Sequence, residues 1–303
     1  MNRYNSLITK ARNGELILFD GATGTEAERR GVPQLKHAWN GGAALTHPEI
    51  LREIHEDYIK LGAKIIITNT FANNLHTLED SNHDKDFFKV NKMGLNIALN
   101  ARKNMHKEDE VLVAGGISYW TWTGRYPTNN HLKKSIEEQS IIFFSGGADF
   151  IILEMMVDIE KTLITLNSAK KSGLPIWVGL SCKANSNGEI CLLDGENLKD
   201  IVKILSNEKI DVINIMHTDM EYVLPALKDL KSHWKGLIGV YPHSGSYTEL
   251  GYRSDTKWRF NSVISPDDFL KYTKVWIDFG VNFIGGCCGI NCDHISKLSK
   301  IIK

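Results

Sequence analysis

THPEILREIHEDYIKLGAKIIITNTF, residues 46–71, decides the fold. Its first part follows helix grammar. Thr46 stands as an N-cap, Pro48 and Glu49 fall in the first turn, and Ile50, Ile54, Tyr58 and Leu61 recur near helical spacing. Gly62 stops the helix. The chain then changes at once to AKIIITNTF (63–71), a short, β-branched, continuous apolar run. A strand exposed on one face alternates, whereas a continuous run marks a strand buried on both faces of a parallel sheet.

The same unit recurs along the chain. Apolar runs stand at LILFDGATG (16–24), VLVAGGIS (111–118), DFIILEMM (149–156), IWVGLSC (176–182), VINIMH (212–217), LIGVYPHSG (237–245) and FIGGCCG (283–289). Helical stretches lie between them at HLKKSIEEQSIIFFSGG (131–147), MEYVLPALKDLKSHW (220–234, with Pro225 in its early turns) and SPDDFLKYTKVWIDFG (265–280, capped by Ser265 and stopped by Gly280). Eight strands alternating with helices, with no low-complexity linker, predict an α/β protein: a single (β/α)8 TIM barrel over residues 1–303. A doubly wound open sheet is the alternative, but no G-x-G-x-x-G follows the first strand.

Bulk properties narrow the function. Lys+Arg and Asp+Glu both number 36 in 303 residues, so the formal net charge is zero. A nucleic-acid partner would call for a basic excess or stripe. No apolar stretch reaches the roughly 18–20 residues that span a bilayer, and the first twenty residues are too polar for a secretory signal. Cys182, Cys191, Cys287, Cys288 and Cys292 form an odd, late-clustered set. That set suits a reducing cytoplasm better than a disulfide framework.

A barrel of this kind builds its active site at the C-terminal ends of its strands. The polar residues expected there are Asp20, Asn69, Thr70, Glu154, Ser181, Cys182, His217, Tyr241, His243, Cys287 and Cys288. In FIGGCCGINCDHI (283–295) two thiols stand side by side. A disulfide between neighbours is strained, because their Cα atoms are about 3.8 Å apart. Metal binding, nucleophilic chemistry and core packing remain open for the pair.

FDGATGTEAERRG (19–31), HPEILREIHEDYIKLGAKIIITNTF (47–71), YPHSG (241–245) and IGGCCGINCDHI (284–295) together resemble the homocysteine S-methyltransferase family, over nearly the whole chain. That family includes betaine–homocysteine and S-methylmethionine–homocysteine methyltransferases. The resemblance implies a barrel holding one divalent metal ion, usually Zn2+, through three cysteine thiolates. It implies methyl transfer from a small onium donor to homocysteine, giving methionine. Glycine betaine, dimethylsulfoniopropionate and S-methylmethionine are the donors to consider. Two other readings stand beside it: methylation of another thiol or selenol such as selenocysteine, and a non-catalytic barrel that binds metal and thiol. No room remains at this length for folate or cobalamin modules. Homo-oligomers are compatible with the family.

The resemblance also assigns residues. Cys287 and Cys288 fall on two ligand positions. The third departs: aligned on Glu221-Tyr222-Val223, the family's Asn-Cys pair becomes Met216-His217. The implied ligand set is His217, Cys287 and Cys288, with Cys292 and Cys182 as rivals for the third place and Cys191 structural. A Cys2His set is sensible for zinc, and replacing a thiolate by imidazole makes Fe2+ a serious alternative. Asp20 and Glu154 match acidic positions that hold the homocysteine amino group, and Gly21 lets the backbone approach substrate. Trp39, Trp120, Trp122 and Tyr241 are cage candidates for an onium donor, and Arg125 is a partner for a donor carboxylate. Two segments, 72–86 and 244–264, are long enough to gate the mouth, and EDSNHDKD (79–86) reads as a solvated loop.

Overall fold

In the computed structural model, which describes residues 2–247 and 260–302, each of the eight apolar runs forms a parallel strand. They are β1 (Ile17–Leu18), β2 (Ile65–Ile67), β3 (Leu112–Ile117), β4 (Phe150–Met156), β5 (Ile176–Leu180), β6 (Val212–Asp219), β7 (Leu237–His243) and β8 (Phe283–Ile284). They join in the order β1-β8-β7-β6-β5-β4-β3-β2. A parallel bridge between Phe19 and Ile65 brings β1 back to β2, with Lys64 N donating to Leu18 O at 2.8 Å and Asp20 N to Ile65 O at 2.9 Å. The sheet is thereby a nearly closed barrel, as the (β/α)8 pattern predicts.

Helices Pro48–Lys60, Phe87–Asn104, Asn129–Gly146, Ile159–Ala169, Leu198–Leu205, Met220–His233, Pro266–Phe279 and Cys292–Ser299 alternate with the strands. Ser265 caps its helix by accepting from Asp268 N, and Gly280 ends it at φ +98°. Thr46 does not cap the first of these. It ends a short helix, Ala43–Thr46, and His47 takes the cap position without a side-chain bond. Pro48 has no N–H and a helical φ, so the helix starts at the proline and the residue before it becomes the cap by position alone.

Alternation sorts the strand side chains into two cores. Leu18, Ile66, Val113, Ile151, Val178, Ile213 and Val240 face the helices, while Ile17, Phe19, Ile65, Ile67, Phe150, Ile152, Trp177 and Phe283 fill the lumen. An N-terminal helix (Arg3–Arg12), to which the sequence reading gave no role, contributes Tyr4, Leu7, Ile8 and Ala11 to the lumen cluster. Trp177 lies 4.4 Å from Phe150 and 4.6 Å from Phe283, ring to ring. Its Nε1 donates to Tyr4 Oη at 2.9 Å, and Tyr4 Oη donates to Asp211 Oδ2 at 2.8 Å.

Segment 72–86 is not a free loop. It contains helix Leu75–Asp80 and a 3-10 turn, Asp84–Asp86. Asn74, His76 and Thr77 bond the main chain after β3 at Trp120 O, and Glu79 and Asp80 are ion-paired with Arg125. These anchors replace the expected gate. Of 244–264, residues 248–259 lie outside the described residues; the flanks Ser246–Tyr247 and Phe260–Asn261 pair antiparallel. Cys191 is buried in a hairpin formed by Cys182–Ala184 and Ile190–Leu192. No helix among the described residues is long and apolar enough to cross a membrane.

Candidate active site

Two strands break their regular register at the barrel mouth, and both breaks deliver functional side chains. In β4 the register against β5 shifts between Leu153 and Met156, with Met155 at φ +56°. In β6 the register against β7 shifts between Met216 and Asp219, with His217 at φ +46°. Met216 faces the lumen, so a straight strand would send His217 toward the helices. A bulge re-aims a side chain, and His217 instead lines the mouth. Histidine enters the left-handed region more readily than most residues, at a cost of roughly 1–3 kcal/mol.

The bulge brings His217 to the thiols. Cys287 Sγ lies 3.1 Å from His217 Nδ1 and 3.7 Å from Nε2, and 3.7 Å from Cys288 Sγ. The thiol turn is pinned to the end of β7: Cys287 N donates to Pro242 O at 2.7 Å, and Ser244 N to Cys288 O at 2.9 Å. Burial pushes the Cys287 thiol well up. The hydrogen bond from Cys287, helped by the charge of His243, draws Cys288 down. Burial also pulls His217 down to about 3, so its ring is neutral and free to donate a lone pair. Cys182 and Cys292 do not join the lining of this cavity.

Glu154 comes from the bulged end of β4, with Oε2 3.7 Å from His217 Nε2. It is 5% exposed, and its Oε1 has no hydrogen-bond partner among the described residues. Burial lifts its carboxyl to about 8. Gly116 on β3 makes the slot, since a Cβ there would stand 2.3 Å from Oε1. A buried polar atom without a partner is costly, so this oxygen, on the wall of the cavity, calls for a donor.

Asp20 sits differently. It is fully buried; Oδ2 accepts from Ile67 N at 2.8 Å and Oδ1 from Tyr241 Oη at 2.9 Å, across the β1–β2 seam. Both oxygens are engaged, and Asp20 is not part of the cavity lining. Burial raises its pKa well above the carboxylate range, against the pull of those two bonds. Tyr241 lines the cavity but turns its hydroxyl to Asp20 and to Gly21 O. Gly21 is required by packing: a Cβ would lie 2.6 Å from Ile290 O and 2.8 Å from Tyr58 Cε1.

An aromatic wall faces the imidazole. Phe71 stacks on His217 at 5.2 Å and 23°. Trp39 and Trp122 meet Phe71 edge-on at 6.3 and 5.9 Å, and each other at 6.2 Å. The sequence reading missed Phe71, although it ends the very run that named Asn69 and Thr70; an apolar ring at a strand end looks like core. Trp120 and Arg125 stand apart from the wall. The Trp120 side chain packs on the outer core, and Arg125 bonds Asp80 Oδ1 at 2.6 Å, Glu79 Oε2 at 3.2 Å and His76 O at 2.9 Å. With its guanidinium committed to two carboxylates, Arg125 has no part in the cavity. The cavity, about 40 Å³ of water-accessible space opening to solvent, lies between Trp39, Phe71, Glu154, His217, Tyr241 and the cysteine pair.

The donor set suits a tetrahedral ion of the zinc type. Two sulfurs about 2.3 Å from such an ion stand about 3.8 Å apart, against 3.7 Å for Cys287 and Cys288. Among the described residues no three His, Cys, Asp or Glu side chains form a ready-made metal cage, so binding an ion requires the set to draw together.

Thiols, a neutral imidazole and a buried carboxyl meet at the C-terminal rim of a (β/α)8 barrel, the end at which enzymes of this architecture build their active sites. Residues 17–302 match the family model described as homocysteine S-methyltransferase. The chain is 25% identical to homocysteine S-methyltransferase 2 of Arabidopsis thaliana, covering 99% of this chain and 97% of that one. It is 26% identical to betaine–homocysteine S-methyltransferase 1 of Bos taurus, covering 99% and 75%. The metallated homocysteine methyltransferase MmuM from Escherichia coli shares the fold, with a TM-score of 0.79 at 20% identity over 99% of both chains. The protein belongs to the homocysteine S-methyltransferase family and is an enzyme of that class.

Proposed function

We propose that the protein transfers a methyl group from a small onium donor to the sulfur of L-homocysteine, giving methionine, with one divalent metal ion held by His217, Cys287 and Cys288. The observation that carries this reading is the meeting of those three side chains beside the unpartnered oxygen of Glu154. When bound, such an ion lowers the pKa of a substrate thiol, and three protein ligands leave a fourth position for it. The substrate thiol gives up its proton to solvent water. Its sulfur lone pair then forms the new bond to the methyl carbon, and the old carbon–onium bond leaves its electrons on the donor as a neutral amine or sulfide.

The chain's own residues orient the partners. Glu154 receives the homocysteine ammonium; Asp20, engaged by Ile67 and Tyr241, supports the seam behind it. Trp39 and Phe71, with Trp122 packed against both outside the cavity lining, present ring faces and edges to the cationic donor, whose charge such a wall accommodates. Zn2+ is the ion implied by the family, and the imidazole makes Fe2+ a competitor. Glycine betaine, dimethylsulfoniopropionate and S-methylmethionine are the donors to try. Five free cysteines suit a cytoplasmic enzyme.

A mass-spectrometric assay with methyl-deuterated donors and homocysteine tests the reading. Labelled methionine from one donor is expected. Label appearing only on selenocysteine would transfer the reading to that acceptor, and no product with any pair would leave a metal- and thiol-binding barrel. Metal analysis of anaerobically purified protein decides between zinc and iron.

A further inference from the structure

His217 reaches the thiols because β6 bulges, and on the β5 side the bulge is tied down by Thr218 Oγ1 donating to Met216 O at 2.8 Å, Ser181 Oγ donating to Met216 O at 2.9 Å and Cys182 N donating to Thr218 Oγ1 at 2.9 Å. On the other side the contact comes from β7. His243 on β7 places Nε2 2.8 Å from Asp219 Oδ1. Asp219 and His243 are register partners immediately beyond the bulge. Asp219 gives a second, independent sign. It occupies the N-cap of helix Met220–His233, where an aspartate ordinarily accepts from the first N–H groups, yet it makes no capping bond. Its carboxylate is turned to the imidazole of His243 instead.

We propose that Asp219 and His243 are positioning residues, a clamp across β6 and β7 that holds the left-handed turn at His217 and so aims its imidazole at Cys287 and Cys288. The proposal rests on the reading of His217 as a metal ligand. The clamp acts on that ligand through the residue two places on, which leaves the ring nitrogens free.

The test uses the full chain: zinc affinity by competition with a chromophoric chelator, the visible spectrum of the Co2+-loaded protein, and the melting temperature of the metal-free form. His217→Ala should lose the most affinity. His243→Ala and Asp219→Ala should each weaken zinc by roughly tenfold or more, the range for residues that orient metal ligands, and shift the Co2+ bands. The metal-free melting temperature should hold. Asp219 is 62% exposed, so its replacement leaves the fold intact. Asp219→Asn keeps an acceptor for His243 and should recover most of the lost affinity; failure to recover would make the effect one of charge and overturn the clamp. Wild-type affinity in both alanine variants, with His217→Ala deficient, overturns the clamp alone. Wild-type affinity in His217→Ala removes the ligand reading and the clamp together.

Discussion

The floor and the mouth of this barrel are made by the same eight strands, yet they are built to opposite rules. At the floor, Trp177 packs against Phe150 and Phe283, and the N-terminal helix supplies Tyr4, whose hydroxyl links Trp177 to Asp211. Those three groups are linked to one another, although the amide of Asn214, on β6 beside Gly239, has no partner among the described residues. At the mouth, the inward positions become Glu154, Cys287 and the re-aimed His217, and Glu154 Oε1 has no partner among the described residues. Burial there displaces ionisation: Glu154 rises to about 8 and His217 falls to about 3. The contrast teaches that regular alternation builds a stable plug, whereas broken alternation at two bulges builds a reactive surface, at a local cost in strain.

Substitutions at the two ends should separate stability from activity. The largest effect is expected at the thiols. Cys287→Ser or Cys288→Ser should reduce methionine formation by roughly 10³-fold or more, since a Lewis-acid metal contributes several kcal/mol to a transition state. The metal-free protein should melt near the wild-type temperature. A variant that keeps both metal and rate would break the comparison. At the floor, Trp177→Ala should cost about 3–5 kcal/mol in chemical denaturation, while the folded fraction keeps its metal content. Loss of metal from that folded fraction would show that floor and mouth are coupled.

Acid offers a third probe, because buried histidines lie outside the mouth as well. Burial lowers His55 to about 4, and neither of its ring nitrogens has a partner among the described residues. The unfolded chain takes up a proton on this residue near pH 6.5, before the folded chain does. Stability is therefore full above about pH 6.5 and falls as pH drops toward 4, by about 3 kcal/mol for this one residue. His55→Leu should flatten that acid limb in melting curves recorded against pH; an unchanged limb would assign acid sensitivity elsewhere. The smallest effect is expected at the aromatic wall. Trp39→Ala or Trp122→Ala should raise the donor KM by roughly tenfold, the worth of a partly desolvated cation–π contact. Metal content should not change, and an unchanged KM removes that ring from the donor site.

Much of this was legible in the sequence. The β-branched runs located all eight strands, and the motif at 283–289 located the thiols, because both signals are local. Asp20, Gly21 and Arg125 were read by type and position as substrate contacts, and the structure commits each to its own scaffold. Asp20 bonds the barrel seam, Gly21 makes room for Ile290 and Tyr58, and Arg125 pairs with Glu79 and Asp80. Charge and backbone freedom are visible in a sequence; the partner that uses them is not. Phe71 and Asp219 were missed for the converse reason, since their roles depend on His217 and His243, far away along the chain.

The sequence by itself determined an α/β chain of eight buried strands, with a histidine near the end of the sixth and two adjacent thiols after the eighth. Hydrophobic periodicity and residue type are properties of short segments. Tertiary structure alone decided that the histidine faces those thiols, because its direction depends on a register shift between β6 and β7. Tertiary structure also decided which carboxylate is left with an open oxygen, because hydrogen-bond satisfaction depends on neighbours brought together by barrel closure.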